Sequence, residues 1–312
     1  MSDAREVILV CHPQAERVAA WIARLAPLLP AFRLAAIDEA VAPERVRYAV
    51  VWKPSPGALA PFTALRAVVS LGAGIDHIPA DALPAHRPPI LRTTGEALTQ
   101  RMREYVCLQV LRHHRDMPQL AAAQRRAEWQ PQVTPPAPER RVGVMGLGLL
   151  GSAAATSLAA LGFDTRGWAR SPHQLGGVTT FAGDELNDFL AGCEILVCLL
   201  PLTDATRDIL DHRLLARLPR GAGLINAGRG EHLVEADLLD ALASARLSHA
   251  TLDVFRQEPL PADHPFWHHP QITVTPHIAS MIDAPTGSRL VAENIRRFEQ
   301  ELADSAAAGG AV

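Results

Sequence analysis

The stretch Val142–Gly151, VGVMGLGLLG, decides the fold. Its first part, Val142–Met145, has the composition of a buried strand, and Gly146, Gly148 and Gly151 follow in the pattern Gly-x-Gly-x-x-Gly. That pattern is weak alone, but between a strand and a helix it is typical of a dinucleotide-binding loop. The glycines permit a tight turn, close approach of a pyrophosphate, and close packing of helix on strand. We expect the helix N-terminus to face the phosphates; a glycine-rich turn without a ligand is the alternative.

Short apolar runs alternate with helical patterns on both sides of this loop, which predicts an α/β fold with parallel sheets. Before the loop, strands are predicted at Val7–Val10, Phe32–Ile37, Tyr48–Trp52 and from Val68. After it, they are predicted at Thr165–Ala169, Ile195–Leu199, Gly223–Asn226, Ala250–Val254 and Ile272–Thr275. The proline-rich stretch Pro131–Pro138 lies between the two series and marks a domain boundary.

A long helix is predicted from Ala97 to Met117, just before that boundary. Thr93 and Glu96 precede it at the spacing of a capping box. Its middle, Tyr105–Leu111, is apolar on nearly all sides, which is typical of a buried helix. We therefore expect this part to lie buried between two bodies.

Composition limits the class of protein. The 312 residues exceed the usual size of one core, so two domains are expected. A hydrophobic share of 48% indicates a globular chain, and 30 basic against 33 acidic residues argue against a dedicated nucleic-acid binder. Neither a signal peptide nor a membrane span is predicted. The 4 cysteines lack metal-site spacing, which favours free thiols in the cytoplasm.

The end of the strand after the glycine loop indicates which cofactor is preferred. NAD-specific sites carry an Asp or Glu about 20 residues beyond the glycines, which binds the ribose hydroxyls. Ala169 stands there instead, and Arg170 and Ser171 follow. A guanidinium and a hydroxyl suit a ribose 2′-phosphate, so we predict NADP(H) over NAD(H). The alternative is a solvated Arg170 in an enzyme that accepts both cofactors.

Reactive side chains follow the strands of the second series. They lie in Asn226–Gly230, Asp253–Pro259 and Thr275–Ala279. In an open parallel sheet, ligands bind beyond the carboxyl ends of the strands. We therefore expect these segments at the same sheet edge as the glycine loop.

The motifs, taken in order, resemble the D-isomer specific 2-hydroxyacid dehydrogenase family along essentially the whole chain. The matching segments are the glycine loop, Trp168–Ser171, Leu200–Thr203 and the three segments just named. Within that family, the likeness is greatest to the NADPH-dependent glyoxylate/hydroxypyruvate reductases of bacteria. It implies the reduction of small 2-keto acids, with glyoxylate and hydroxypyruvate as the leading substrates. A reductase of larger keto acids and a cofactor-sensing binding protein remain as alternatives.

The resemblance also assigns catalytic roles that the chemistry supports. His277 would protonate the keto oxygen as hydride arrives, because histidine exchanges protons near neutral pH. Glu258 would orient the imidazole and favour its protonated form, and Arg229 would bind the substrate carboxylate and polarise the carbonyl. Singly, these residues could equally be a turn histidine, a solvated carboxylate and a structural ion-pair partner.

The resemblance implies further cofactor contacts beside those of the glycine loop and of residues 169–171. The predicted cofactor-binding residues are Gly146, Leu147, Gly148, Leu149, Leu150, Gly151, Ala169, Arg170, Ser171, Leu200, Pro201, Thr203, Ala227, Asp253, Ala279 and Met102. For Met102, plain packing explains a methionine equally well.

The first series is expected to supply further substrate contacts. The turn after its fourth strand resembles the family's carboxylate-binding loop, in which the backbone N–H groups of Ala73, Gly74 and Ile75 would hold the acid. Trp52 could cap a small substrate or belong to the core. Trp129 resembles a residue that reaches the neighbouring subunit's active site in some relatives.

The position of the glycine loop, almost halfway along the chain, agrees with this family. The resemblance implies two Rossmann-like or flavodoxin-like domains. Residues 1–97 with 284–312 would form a discontinuous substrate-binding domain, and residues 98–283 an NAD(P)-binding Rossmann domain. It further implies a homodimer. The histidine pairs His113-His114 and His268-His269 lack partners at metal spacing, so we predict no metal site, and no nucleic-acid or membrane partner.

Overall fold

The computed structural model describes residues 5–309. Its strands are β1 (Glu6–Cys11), β2 (Phe32–Ala36), β3 (Val46–Val51), β4 (Ala67–Ser70), β5 (Ile90–Arg92), β6 (Arg141–Met145), β7 (Asp164–Ala169), β8 (Thr179–Ala182), β9 (Ile195–Cys198), β10 (Ala222–Asn226), β11 (Leu247–Leu252) and β12 (Ile272–Val274). Its α-helices are α1 (Ala15–Leu25), α2 (Glu96–His114), α3 (Met117–Arg125), α4 (Leu149–Ala160), α5 (Leu186–Leu190), α6 (His212–Leu215), α7 (Glu235–Ala243) and α8 (Ala284–Gly309). The chain divides into two compact units, Met1–Ala97 with Ile282–Val312, and Leu98–Met281.

The first unit contains a five-stranded parallel sheet in the order β2-β1-β3-β4-β5. This is the flavodoxin-like order. Val7–Val10 in β1 are almost fully buried, because a central parallel strand is covered on both faces and needs a continuous apolar run. From α8, Val291 and Ile295 complete the core on one face together with Tyr48 of β3.

The second unit contains a seven-stranded parallel sheet in the order β12-β11-β10-β9-β6-β7-β8. The chain first builds outward from β6 to β8 and then returns to add β9 on the other side of β6. This is the Rossmann strand order, which places a ligand-binding crevice where the order reverses. The glycine loop follows β6 and therefore lies at that reversal.

The strands of the second unit share a common carboxyl edge. The residues that lie side by side across six strands are Trp168, Met145, Cys198, Asn226, Leu252 and Val274. In this unit, each segment predicted to bind cofactor or substrate begins in this row or within two residues after it. The pairing register therefore brings these segments to one edge, as the sequence predicts.

The predicted α/β architecture with parallel sheets is confirmed, and the strand positions agree to within a few residues. Two short edge strands, β5 and β8, were not predicted from the sequence, because neither carries a long apolar run. Cys11, Cys193 and Cys198 are buried free thiols, and Cys107 is a partly exposed one. Within residues 5–309, no helix is both long enough and apolar enough to cross a membrane.

The prediction of one helix from about Ala97 to Met117 is correct to within one residue at its start and wrong at its C-terminal end. Helix α2 ends at His114, and α3 begins after Asp116, whose left-handed backbone (φ 51°) interrupts the helical path. At the other end α2 begins at Glu96, so residue 95 occupies the cap position. The capping box stays a prediction. The Thr93 hydroxyl donates a hydrogen bond to the Ser70 carbonyl oxygen at 2.5 Å.

The expected all-round burial of the middle of α2 is also wrong. Val106 and Val110 are buried, whereas the side chains of Leu108 and Leu111 are 54% and 39% exposed. Residues four apart share one face of a helix, and that face packs against the second sheet. The sequence does not show this division, because apolar residues such as Leu108 and Leu111 also stand on the exposed face.

Two histidines are buried between α2 and the second sheet. The rings of His113 and His249 meet edge to face, with centroids 5.4 Å apart. His113 Nε2 lies 3.0 Å from the Thr251 hydroxyl, and His249 Nε2 lies 2.9 Å from the Thr273 hydroxyl. Burial lowers the pKa of His113 to about 3 and that of His249 to about 4. Both rings are therefore neutral in the folded protein at neutral pH.

These histidines predict a loss of stability on mild acidification. The unfolded chain takes up protons as pH falls through about 6.5, whereas the folded chain does not until the much lower pKa values are reached. Each histidine therefore removes about 1.4 kcal/mol of unfolding free energy per pH unit between those limits. Urea unfolding at pH 7 and pH 5 measures this loss. His249→Asn should reduce it, and His212→Asn, at an exposed position, should not; equal losses in both variants would contradict the prediction.

Candidate active site

The glycine loop has the geometry that dinucleotide binding requires. Gly146 has a φ of +98°, which side chains rarely adopt, and its N–H donates to the Trp168 carbonyl oxygen at 2.8 Å. A Cβ at Gly151 would lie 1.7 Å from the Gly146 carbonyl oxygen, so helix α4 can approach β6 only with glycine there. In contrast, a Cβ at Gly148 would meet nothing within 4 Å. The open space beside Gly148, at the N-terminus of a helix, fits a pyrophosphate.

The segment after β7 carries an exposed guanidinium, and it follows the strand next to the glycine loop. Ala169 is buried at the end of β7, while Arg170 and Ser171 are exposed. Among the described residues, none forms an ion pair with Arg170. Because β7 pairs with β6 in register, Met145 beside Trp168, Arg170 follows the strand that neighbours the glycine loop.

The segment after β9 is held by a hydroxyl that the sequence analysis missed. Thr206 Oγ1 donates to the Pro201 carbonyl oxygen at 2.7 Å and accepts the Thr203 N–H at 2.8 Å. Leu200 is buried, whereas Pro201 and Thr203 are exposed. The pair Thr203-x-x-Thr206 was the available signal, since a threonine three residues on can close a turn.

The segments after β10 and β11 pack directly against each other. A Cβ at Gly230 would lie 1.9 Å from the Phe255 carbonyl carbon, so only glycine fits. Arg229, one residue earlier, is half-buried, and its Nη1 donates to the Gly228 carbonyl oxygen at 2.6 Å. Ala227 is buried beneath this turn. The predicted carboxylate-binding arginine therefore lies on the segment that touches the one carrying Glu258.

Glu258 and His277 form the central pair of the site. His277 Nδ1 lies 2.8 Å from Glu258 Oε2, and Glu258 Oε1 accepts the Phe255 N–H at 3.1 Å. Their side chains are 38% and 26% exposed, respectively. A carboxylate only accepts, so Nδ1 carries a proton and Nε2 is the nitrogen directed away from the pair. This leaves Nε2 as the atom that can exchange a proton with a ligand.

The Asp253 carboxylate fixes the segment that carries His277. Its Oδ1 accepts the Thr275 hydroxyl at 2.6 Å and the Ile278 N–H at 2.9 Å, and its Oδ2 accepts the Ala279 N–H at 2.9 Å. The Asp253 carbonyl oxygen accepts the His277 N–H at 2.8 Å. Burial raises the pKa of Asp253, and these donors oppose the rise. Asp253 therefore has a positioning role, while its predicted contact with cofactor stays a prediction.

Helix α2 adds a second support to the same segment. Tyr105 Oη lies 2.7 Å from Thr275 Oγ1, and because that hydroxyl donates to Asp253, it accepts from Tyr105. Ser280 Oγ donates to the Leu98 carbonyl oxygen at 2.9 Å. Met102 is buried in the apolar cluster that contains Ala279, so packing accounts for this methionine.

The predicted substrate turn of the first unit is also pre-ordered. Ser70 Oγ accepts the Gly72 N–H at 3.1 Å and lies 2.9 Å from the Gly74 carbonyl oxygen. The indole of Trp52 lies over the ring of His77, with centroids 4.2 Å apart, and would contact a Cβ at Gly72 at 3.1 Å. Trp52 is therefore half-buried against this turn, beside Ala73, Gly74 and Ile75, which are partly exposed.

Two further predictions concern residues away from these segments. Trp129 is 94% exposed, and its predicted entry into a neighbouring subunit stays a prediction. Among the described residues, no group of three or more His, Cys, Asp or Glu side chains is placed to hold a metal ion.

Comparison with known proteins decides the family. A family model described as the NAD binding domain of D-isomer specific 2-hydroxyacid dehydrogenases matches residues 107–279. Over 285 residues, the chain is 41% identical to glyoxylate/hydroxypyruvate reductase A of Serratia proteamaculans (strain 568), covering 89% of this chain and 91% of that protein. The chain belongs to the D-isomer specific 2-hydroxyacid dehydrogenase family. It is an NAD(P)-dependent oxidoreductase.

Solved structures of this dehydrogenase family share its fold. A dehydrogenase from Xanthobacter autotrophicus Py2, in complex with NADPH and MES, matches with a TM-score of 0.87 and 43% identity, covering 94% of this chain and 95% of that one. The NADPH-dependent glyoxylate/hydroxypyruvate reductase of Sinorhizobium meliloti, in complex with NADP and sulfate, matches with a TM-score of 0.85 and 38% identity, covering 95% and 96%. The dehydrogenase fold therefore extends over nearly the whole chain.

The Asp253 contacts predict a measurable cost for Asp253→Asn. The amide nitrogen of asparagine cannot accept, so at least one donor of the 275–279 segment loses its partner. An unsatisfied buried donor costs about 1–3 kcal/mol. Urea unfolding at pH 7 should show this loss, whereas Asp188→Asn, at an exposed position, should unfold like the parent. Equal stability of the two variants would show that the carboxylate does not hold the segment.

Proposed function

We propose that this dehydrogenase uses NADPH to reduce small 2-keto acids, with glyoxylate and hydroxypyruvate as the first candidates. The observation that carries the proposal is the His277–Glu258 pair, 2.8 Å apart, at the sheet edge that also presents the glycine loop. The relatives from Serratia proteamaculans and Sinorhizobium meliloti, both named glyoxylate/hydroxypyruvate reductases, support this choice of substrate.

The proton in this reaction would come from His277. When bound, the nicotinamide cofactor supplies a hydride to the keto carbon. The keto oxygen then needs one proton, which the imidazole donates from Nε2 while Glu258 holds Nδ1. The products are a 2-hydroxy acid, the oxidised cofactor and a neutral imidazole, which regains its proton from solvent. A reaction that released no alcohol would have no use for this pair, which favours keto-acid reduction over formate oxidation.

The substrate carboxylate would be bound by Arg229. A guanidinium presents parallel N–H donors to a carboxylate, and from there it also polarises an adjacent carbonyl group. In the first unit, the backbone N–H groups of Ala73, Gly74 and Ile75 remain our proposal for a second carboxylate contact. Trp52, which lies on that turn, would limit the size of the substrate side chain.

Arg170 and Ser171 would bind the ribose 2′-phosphate and so favour NADPH over NADH. The support is the exposed guanidinium after β7 and the absence of a carboxylate at Ala169, which would repel a phosphate. The Xanthobacter autotrophicus and Sinorhizobium meliloti structures hold NADPH and NADP. A homodimer and a cytoplasmic location remain predictions from the sequence.

A panel of 2-keto acids tests the proposed reaction. The purified enzyme should oxidise NADPH with glyoxylate or hydroxypyruvate faster than with keto acids of larger side chains. His277→Ala should lower kcat by about 10²–10⁴-fold while NADPH still binds, because it removes the proton donor. Absorbance at 340 nm follows turnover, and fluorescence titration follows cofactor binding. No turnover on any keto acid, with NADPH still bound, would favour a cofactor-sensing protein instead.

Arg170→Ala tests the cofactor preference. Loss of a charge-assisted contact worth about 1.5–3 kcal/mol should raise the KM for NADPH by roughly 10–100-fold and leave the KM for NADH nearly unchanged. Arg213→Ala, at an exposed position on α6, is the matched control. If the parent already uses both cofactors with equal efficiency, the argument from Arg170 is wrong.

A further inference from the structure

The main chain of Arg229 is held on both sides by fully buried side chains. Asn226 Nδ2 donates to the Arg229 carbonyl oxygen at 3.0 Å, and His232 Nδ1 accepts the Arg229 N–H at 3.0 Å. Neither Asn226 nor His232 has measurable solvent exposure. The backbone from which the Arg229 side chain extends is therefore fixed by two contacts that solvent does not reach.

His232 also reaches the segment after β9. A backbone N–H can only donate, so Nδ1 must be unprotonated, and a neutral ring then carries its proton on Nε2. His232 Nε2 lies 3.4 Å from the Pro201 carbonyl oxygen, toward which that proton is directed. Cys198, the last residue of β9, places its Sγ 3.8 Å from Nδ1. One ring thus connects the Arg229 turn with the predicted cofactor segment.

The packing around Gly228 shows that the ring has little freedom. A Cβ at Gly228 would lie 2.9 Å from His232 Nδ1 and 3.2 Å from the Leu200 carbonyl oxygen. Glycine is therefore required where the imidazole lies between the two segments. The ring itself does not project from the turn as Arg229 does, since it is buried beneath it.

We propose that His232 is a positioning residue that holds Arg229 where it can bind the substrate carboxylate. Through its contact with Pro201, the same ring couples the position of Arg229 to the cofactor segment. The inference deepens the proposed function and rests on it, because Arg229 is the proposed carboxylate ligand. His232 itself contacts neither substrate nor cofactor in this account. Its effect on substrate affinity passes through Arg229, and its effect on cofactor affinity passes through the Leu200–Thr203 segment.

Two conservative substitutions can separate the two contacts. The Oδ1 of asparagine can take the place of Nδ1 and accept the Arg229 N–H, but the side chain is too short to reach Pro201. The Nε2 of glutamine can take the place of the histidine Nε2 and donate to Pro201, but it leaves Arg229 without its acceptor. His232→Leu removes both contacts at similar volume.

The experiment measures the KM for glyoxylate and the Kd for NADPH in the full-length protein. His232→Gln should raise the KM threefold or more with little change in Kd. His232→Asn should do the reverse, and His232→Leu should raise both. His212→Asn, at an exposed position on α6, should change neither the KM for glyoxylate nor the Kd for NADPH. A merely structural histidine would give the same loss in both parameters for all three variants, and that result, or no change at all, would overturn the proposal.

A measurement on the unsubstituted protein covers the case in which the variants fail to fold. Long-range ¹H–¹⁵N spectra of protein labelled in its 13 histidines should show His232 as the Nε2–H tautomer. An Nδ1–H tautomer would overturn the proposal. The tautomer and the Kd for NADPH do not depend on turnover. Loss of the keto-acid reaction in the parent would contradict the proposed function, while the tautomer and the Kd would still test the two His232 contacts.

Discussion

A single buried carboxylate, that of Asp253, orders the chemistry of the second unit. The carboxylate accepts three hydrogen bonds from the segment after β12, and the main-chain carbonyl oxygen of Asp253 accepts the His277 N–H. His277 has a left-handed backbone, with a φ of 54°, that an unsupported histidine rarely adopts. The carboxylate overcomes this preference, and only then does the imidazole meet Glu258. Without the carboxylate, the segment that carries His277 would lose three of its hydrogen bonds.

The parallel register turns separate loops into one site. Asn226 lies beside Cys198 and Leu252, so the segments that follow them begin at the same level. Direct contacts between those segments then hold them together. His232 connects the segment after β10 with the segment after β9. The close approach of Gly230 to Phe255 connects the segment after β10 with the segment after β11. Side chains far apart in the sequence need only short, buried links to act together.

Much of this was predictable because it follows from local pattern. The glycine loop, the strand ends and the Arg229, Glu258 and His277 set are visible in the sequence, and the parallel fold follows from alternating strands and helices. The break at Asp116 was not, because a left-handed backbone is uncommon outside glycine and no glycine marks this position. The structural roles of Asp253 and His232 depend on long-range hydrogen bonds. A sequence shows that such residues are polar but not which buried donors they meet.

The common edge also bears on how this enzyme can change over evolutionary time. The loop part of each segment follows the last paired residue of its strand, so an insertion in one loop leaves the sheet register intact. An insertion inside a strand would instead turn its side chains to the opposite face. The loop at one strand end can therefore change in length while the segments at the other strand ends stay in place. Each loop can change in length on its own, although buried contacts connect it with its neighbours.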